Sequence, residues 1–334
     1  MTDFFAFHFA PMLAAFSFNL PDETGKVLLA VLPVFVIAVI GIAMRKANWL
    51  TEQADQSLLK VTINVLSPAL IFDSIMNNEA LKQFSNVVLP PLVGFGTVAL
   101  GTGIGWLFAR FAKFDDRKTV ATLAICAGIY NYGYIPVPLV TTLFDRETLG
   151  VLFVHNVGVE LSFWTLAVAV LGGKSGRGWK QFLNPPVLAI IVSLSLNALG
   201  GHEIIPRFIL ISAKMLGQCA VPMGIILVGA MTADHLKEFR SATGFKSIVT
   251  SCILRLGILP IFFLLLAKYL PCSVELKRVI IVEGAMPTAT FTVILARHYG
   301  GDASTAVRAL IATSALSLIT IPLWIRFGLK FVGL

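Results

Sequence analysis

The chain has 334 residues, 57% of them hydrophobic and only 13% charged, with a formal net charge of +8. Its mean hydropathy of +0.84, and a charged fraction about half of the ~25% usual for soluble domains, exclude a water-soluble globular fold. The basic residues sit in short connectors between apolar runs and make no continuous stripe, which excludes a nucleic-acid-binding surface.

In chain order, Met1 to Leu20 is Phe-rich, carries no basic residue ahead of its apolar part and ends at Pro21-Asp-Glu. It reads as an interfacial segment (residues 1–25) rather than a cleaved signal peptide. Ten apolar runs follow, near or above the ~18 residues that a membrane-crossing helix needs. They are Lys26–Met44, Val61–Asn77, Val87–Ala112, Thr119–Leu143, Leu149–Gly172, Pro186–Leu199, Phe208–Thr232, Ile248–Leu270, Val279–His298 and Ala306–Phe327. The fold class expected is therefore an all-α membrane protein of ten transmembrane helices.

With the N-terminus outside, fifteen of the 26 basic residues fall in inner connectors and nine in outer ones, Lys214 and Arg255 lying within spans. That bias predicts a multi-pass inner (plasma) membrane protein with both termini outside. Cys126, Cys219, Cys252 and Cys272 show no paired spacing and mostly lie in apolar spans, so no disulfide or metal site is expected.

The two halves share an approximate repeat. Asn64-Val-Leu-Ser-Pro68 resembles Gln218-Cys-Ala-Val-Pro222, Pro136 corresponds to Pro287, and the connector Ala109–Lys118 lines up with Ala267–Arg278. Five spans per copy, an odd number, predicts that the copies are inverted about an axis in the membrane plane. The expected division is residues 26–172, a Gly-rich, flexible basic cytoplasmic linker at 173–183, and residues 184–334.

Two spans are interrupted. In Ala127-Gly-Ile-Tyr-Asn-Tyr-Gly-Tyr-Ile-Pro136 and in Glu283-Gly-Ala-Met-Pro-Thr288, Pro lacks an amide donor and clashes with the preceding turn, and Gly weakens the helix further. Broken helices survive in hydrocarbon only where they line a cavity or pack on protein. If both breaks lie at mid-membrane, two half-helix N-termini face one cavity and favour an anion, above all a carboxylate. Asn131, Tyr132, Tyr134, Pro136, Pro287 and Thr288 are the candidate substrate-binding residues, against a purely structural role for kinks and tyrosines.

Among the acids inside spans, Glu283 is four residues before Pro287. It either binds H⁺ or Na⁺ and couples transport, or pairs with Arg255, for which Glu160 is the other candidate. Asp73 lies near a span end and reads as interfacial. His155 and Glu160 do not share a helix face, which argues against a metal pair, whereas Asn156 and Glu160 do and read as interhelical glue. Asn64 and Gln218 either donate to substrate or bond a neighbouring helix. Gly94-Phe-Gly96 and Gly101-Thr-Gly-Ile-Gly105 follow no strand and read as close helix packing, not a dinucleotide loop. Asp115-Asp116 has no second acidic cluster to complete a prenyltransferase-like site, and no catalytic set, cofactor motif or nucleotide loop is present.

With these residues in view the sequence resembles the auxin efflux carrier family, from Lys26 to the C-terminus. The resemblance rests on Asn64-Val-Leu-Ser-Pro-Ala-Leu-Ile-Phe72, Asn131-Tyr-Gly-Tyr-Ile-Pro136, Asn184-Pro-Pro186 and Glu283-Gly-Ala-Met-Pro-Thr288. It implies two inverted five-helix repeats, fourth and ninth helices that cross at their prolines, an elevator-like motion of a transport domain against a scaffold, and a homodimer. It implies a secondary transporter of small organic anions, with malate- or malonate-like dicarboxylates, associated with bacterial relatives, as the preferred class and auxin-like acids as the other. Plant members have Asn-Pro-Asn at the first crossover, where this chain has Asn131-Tyr-Gly-Tyr-Ile-Pro136, and they carry a long loop between the halves that is missing here. The Glu-x-x-x-Pro pattern at Glu283 is also similar to the bile-acid sodium symporters. A sodium-coupled symporter of a larger organic acid and a membrane-embedded enzyme are the competing readings.

Overall fold

The computed structural model describes residues 22–172, 184–241 and 244–334. The interfacial reading of Met1 to Leu20 and the linker reading of residues 173–183 lie outside these. The described chain folds into α1 (Asp22–Lys46), α2 (Glu52–Ile75), α3 (Ser85–Phe111), α4 (Arg117–Gly128), α5 (Pro136–Leu143), α6 (Arg146–Val170), α7 (Pro185–Ala198), α8 (Arg207–Ser241), α9 (Phe245–Tyr269), α10 (Val274–Ala285), α11 (Phe291–His298) and α12 (Ala303–Val332). Among the described residues the only β structure is one isolated antiparallel bridge, Tyr130 to Thr288. Seven helices, α1, α2, α3, α6, α8, α9 and α12, are long and apolar enough to cross a bilayer. The protein is a multi-pass membrane protein.

Side chains just ahead of the helices start them. Asp116, Asp145, Asn184, Ser273 and Asp302 each accept a backbone N–H two or three residues on, satisfying donors that a helix start leaves free. The hydroxyl and amide of Thr119 hold the exposed Asp116 carboxyl below its ordinary pKa.

The repeat is visible in the order of parts. A helix of 12 residues, a break, a helix of 8 residues and an Asp-capped long helix occur as α4, α5, α6 and again as α10, α11, α12. In both copies the capping Asp bonds a Thr three residues later, Asp145 to Thr148 and Asp302 to Thr305. The prolines fall out of register in this order. Pro136 opens α5 as Phe291 opens α11, whereas Pro287 stands inside the second break, so the expected match of Pro136 with Pro287 is shifted. The cause is tolerance: proline fits the first turn of a helix as well as an extended link.

Proline acts elsewhere through the carbonyl it leaves free. Pro68 follows a π-helical turn at Thr62–Leu66, and Pro260 follows one at Ile253–Ile258. Because Pro260 has no amide to offer Leu256, the Leu256 carbonyl instead accepts from the Trp324 indole at 2.6 Å.

Helix α3 packs on α4 and α6 through glycine, as its spacing predicts. A Cβ on Gly101 would sit 2.9 Å from Gly128 Cα, and one on Gly105 2.7 Å from Ala127 Cβ; Gly94 backs onto the His155 carbonyl. Gly96 and Gly103 have no neighbour there, so the close approach uses one stripe of the helix.

Helices α1, α2, α7 and α8 pack largely on one another, and α3 to α6 and α9 to α12 form a second group, with α12 also touching α1 and α8. Connectors expected on one side of the membrane meet. Lys246 donates to the Lys113 carbonyl (2.8 Å), Thr119 to Asp302 (3.2 Å) and Arg308 to Ser247 (3.3 Å). At the opposite end Arg278 pairs with Asp145 (2.5 Å) and Arg146 with Asp73 (3.6 Å), which places Asp73 at the rim.

Candidate functional site

Helix α4 stops at Gly128, and residues 129–135 run without helix until Pro136 begins α5. Helix α10 stops at Ala285, and residues 286–290 do the same before α11. The two links cross and bond each other: Asn131 N donates to the Pro287 carbonyl at 2.8 Å, and Ala289 N to the Ile129 carbonyl at 3.0 Å. Backbone groups that would be orphaned in hydrocarbon are thus paired with the other break. This is why both interruptions can persist at one place.

Side chains satisfy more of the freed carbonyls. Thr288 Oγ1 donates to the Cys126 carbonyl at the end of α4 (2.8 Å), and its amide donates to Thr313 Oγ1 (3.2 Å). Asn156 Nδ2 donates to the Tyr132 carbonyl (2.8 Å), tying α6 to the first break. Asn131 turns its own Oδ1 back onto the amides of Gly133 and Ile135, both at 3.4 Å.

Arg255, fully buried, caps the end of α10. Its Nε donates to the Met286 carbonyl (2.7 Å) and its Nη2 to those of Glu283 (2.8 Å) and Gly284 (3.2 Å). The guanidinium lies over the rings of Tyr130 (4.9 Å) and Phe263 (5.3 Å). A cation at a helix C-terminus meets the negative end of the dipole and the unpaired carbonyls together. The Glu283–Arg255 ion pair, one of the two alternatives for Glu283, is not made between the side chains: Arg255 holds the backbone of Glu283, and among the described residues both Glu283 carboxyl oxygens and Arg255 Nη1 have no hydrogen-bond partner.

A cavity of about 470 Å³ lies between the two helix groups. The first break contributes Asn131, Tyr132, Gly133 and Tyr134, the second Ala289 and Thr290. Val137 of α5 and Phe291 and Ile294 of α11 join them, so both second half-helices begin on this wall. Opposite stand Leu59, Ile63, Ser67, Leu70 and Ile71 of α2, Pro186 and Ile190 of α7, and Ala220, Val221, Gly224, Leu227, Val228 and Met231 of α8. A Cβ on Gly224 would enter the Tyr134 ring, so that tyrosine bridges the two groups across the cavity edge. The Tyr132 ring packs edge-on against Phe163 at 5.3 Å.

Of the sequence candidates, Asn131, Tyr132 and Tyr134 line the cavity, whereas Pro136, Pro287 and Thr288 are buried and not part of its lining. Glu283 is sealed away from it. Asn64 and Gln218 are exposed and stand outside its wall. Five polar residues outside the candidate set join the lining: Ser67, Asn156, Glu160, Asn184 and Thr290. The Asn184 amide donates to the Glu160 carboxyl. Asn156 and Glu160, four apart, signalled one polar face of α6, but which helix that face met depended on a partner 24 residues on.

A many-span helical membrane protein whose two interrupted helices cross beside an internal cavity has the architecture of a membrane transporter. The chain belongs to the membrane transport protein family, whose profile matches it twice, over residues 26–177 and 174–325. It is 28% identical over 298 residues to an uncharacterized transporter of Methanothermobacter thermautotrophicus, covering 88% of this chain and 96% of that protein. It is 25% identical over 302 residues to the uncharacterized transporter MJ1031 of Methanocaldococcus jannaschii, with the same coverage. It is 23% identical over 316 residues to the uncharacterized transporter YfdV of Escherichia coli, covering 88% of this chain and 95% of that one.

Proposed function

We propose that the protein is a secondary transporter that carries organic carboxylates across the plasma membrane by alternating access. The observation that carries this reading is the crossing: two breaks bonded to each other, with α5 and α11 both starting on the wall of one cavity. Each helix start presents the positive end of its dipole to an anion, in α5 without free donors, because Pro136 and Pro138 have no N–H and Val137 N is bonded to the Gly133 carbonyl at 3.0 Å. Asn131, Tyr132, Tyr134 and Thr290 supply polar contacts, while Pro136, Pro287 and Thr288 hold the frame.

Taking each broken pair and α7 as crossings gives ten spans, in two inverted copies of five with both termini outside. Helices α1, α2, α7 and α8 form the scaffold and dimer surface, and the group carrying the breaks moves past it as an elevator. Tyr134 against Gly224, the Arg146–Asp73 pair and the Asn184–Glu160 bond are among the contacts that such a motion has to release. Most of the lining is aliphatic or aromatic, and none of its described residues is basic. That composition suits one carboxylate on an apolar body, auxin-like in shape, better than a malate- or malonate-like dianion whose second charge has no counterpart.

The test is uptake into proteoliposomes holding purified protein. Indole-3-acetate is expected to accumulate against its gradient under an imposed ion gradient, and malonate to compete poorly. No uptake of either acid would reject the reading, and equilibration alone would remove ion coupling, leaving a uniporter or a channel.

A further inference from the structure

We infer that Glu160 is the proton site of the transport cycle, taking up one H⁺ together with each carboxylate that enters the cavity. This rests on the carboxylate reading above and assigns its coupling to a group other than Glu283. Glu160 is the one charged side chain among the described lining residues, whereas Glu283 is fully buried outside the lining.

The geometry fixes what Glu160 does in each state. Asn184 caps α7, its Oδ1 accepting from Val187 N at 2.9 Å, so only its Nδ2 is left to face Glu160, where it donates to Oε1. Oε1 accepts that bond whether the carboxyl is charged or neutral, which leaves Oε2 to take the proton. An ionised carboxyl is acceptor-only, and beside a substrate carboxylate it adds like-charge repulsion in an apolar enclosure. A protonated one becomes a donor and bonds the substrate. Anion plus Glu–COO⁻ plus H⁺ gives anion bound to Glu–COOH, one proton per carboxylate. One helical turn away Asn156 grips the Tyr132 carbonyl, so the same face of α6 that carries the proton holds the first break.

Other titratable groups do not stand in for it. Among the described lining residues the other titratable ones are Tyr132 and Tyr134; those of α2, α7, α8 and α11 bring none. On α6 itself His155 faces Tyr130 and bonds Asn156. Among helices packed on α6, α10 carries Glu283 and, near its start, Glu275, Lys277 and Arg278, the last on Asp145; α2 carries Asp73, on Arg146, and, toward its start, Glu52, Asp55 on Arg45, and Lys60; α5 and α7 carry none. Helix α3 holds only Arg110, in its last turn.

The experiment is indole-3-acetate binding to purified protein in weakly buffered detergent solution, with a pH indicator, for the wild type and Glu160→Gln. The wild type should take up one proton per ligand bound, and its Kd should rise about tenfold per pH unit on the alkaline side. Glu160→Gln, whose amide donates as the protonated acid does, should bind with no proton uptake and less than about a twofold change in Kd over the same range. Replacing Na⁺ by K⁺ should alter neither. Binding without proton uptake in the wild type overturns the proposal and leaves the carboxylate reading standing; so does proton uptake that persists in Glu160→Gln, or a Na⁺ requirement. Absence of binding by any carboxylate, malonate included, rejects both together.

Discussion

Arg255→Met is expected to destabilise the protein by ~3–5 kcal/mol, the range for removing one member of a buried charged network. The Gly284 and Met286 carbonyls lose the Arg255 donor at once, and the Glu283 carbonyl keeps only the Met286 amide at 3.2 Å. In hydrocarbon no water replaces the guanidinium. The buried Glu283 also loses the favourable field of the Arg255 cation. Thermal unfolding in detergent, followed by tryptophan fluorescence, measures the loss. Arg255→Lys should recover only part of it, because one ammonium cannot span three carbonyls as a planar guanidinium does. Adding Glu283→Gln to Arg255→Met should restore some stability if the arginine also balances that carboxylate. A wild-type unfolding temperature for Arg255→Met would show that the crossing does not depend on this cap.

Tyr130→Ala should be about as damaging, ~3–5 kcal/mol for a fully buried aromatic truncated in place. Tyr130 is the residue of the first break that faces Thr288 across the bridge. Its ring meets Phe263 edge-on at 5.6 Å and lies under the Arg255 guanidinium, and its hydroxyl bonds Thr97 Oγ1 at 2.9 Å. Tyr130→Phe keeps the ring and both aromatic contacts and gives up one hydrogen bond, at a cost of ~1 kcal/mol. Urea unfolding of the two variants separates the contributions. Equal losses would place the stabilisation in the hydroxyl instead of the ring.

The sequence made the breaks legible because Pro and Gly act locally: residues 127–136 contain the first interruption, and 283–288 hold the start of the second, which runs on to Thr290. Their lengths and register were not legible, since Pro136 fits a helix start as readily as a break. Arg255 shows a second limit. A buried arginine was expected to seek a carboxylate, yet it holds carbonyls that exist only because α10 ends there, and no side chain encodes them. Glu160 shows a third. Its face of α6 could be read, but its partner Asn184 comes from the next repeat, and the cavity wall opposite is built from α2, α7 and α8, whose apolar residues look alike whether they face lipid or substrate. The glycines of α3 were readable because close approach needs a missing Cβ whatever the partner is.

The most direct measurement is protection of a single cysteine placed at Asn131 in a protein whose native cysteines have been replaced. A membrane-permeant maleimide should label Asn131→Cys in proteoliposomes, and indole-3-acetate should slow the reaction in proportion to its occupancy of the cavity, leaving a cysteine at the exposed Gln218 unaffected. Labelling at the same rate with every carboxylate tried, in protein that still accumulates one of them, would mean that substrate binds away from the crossed breaks.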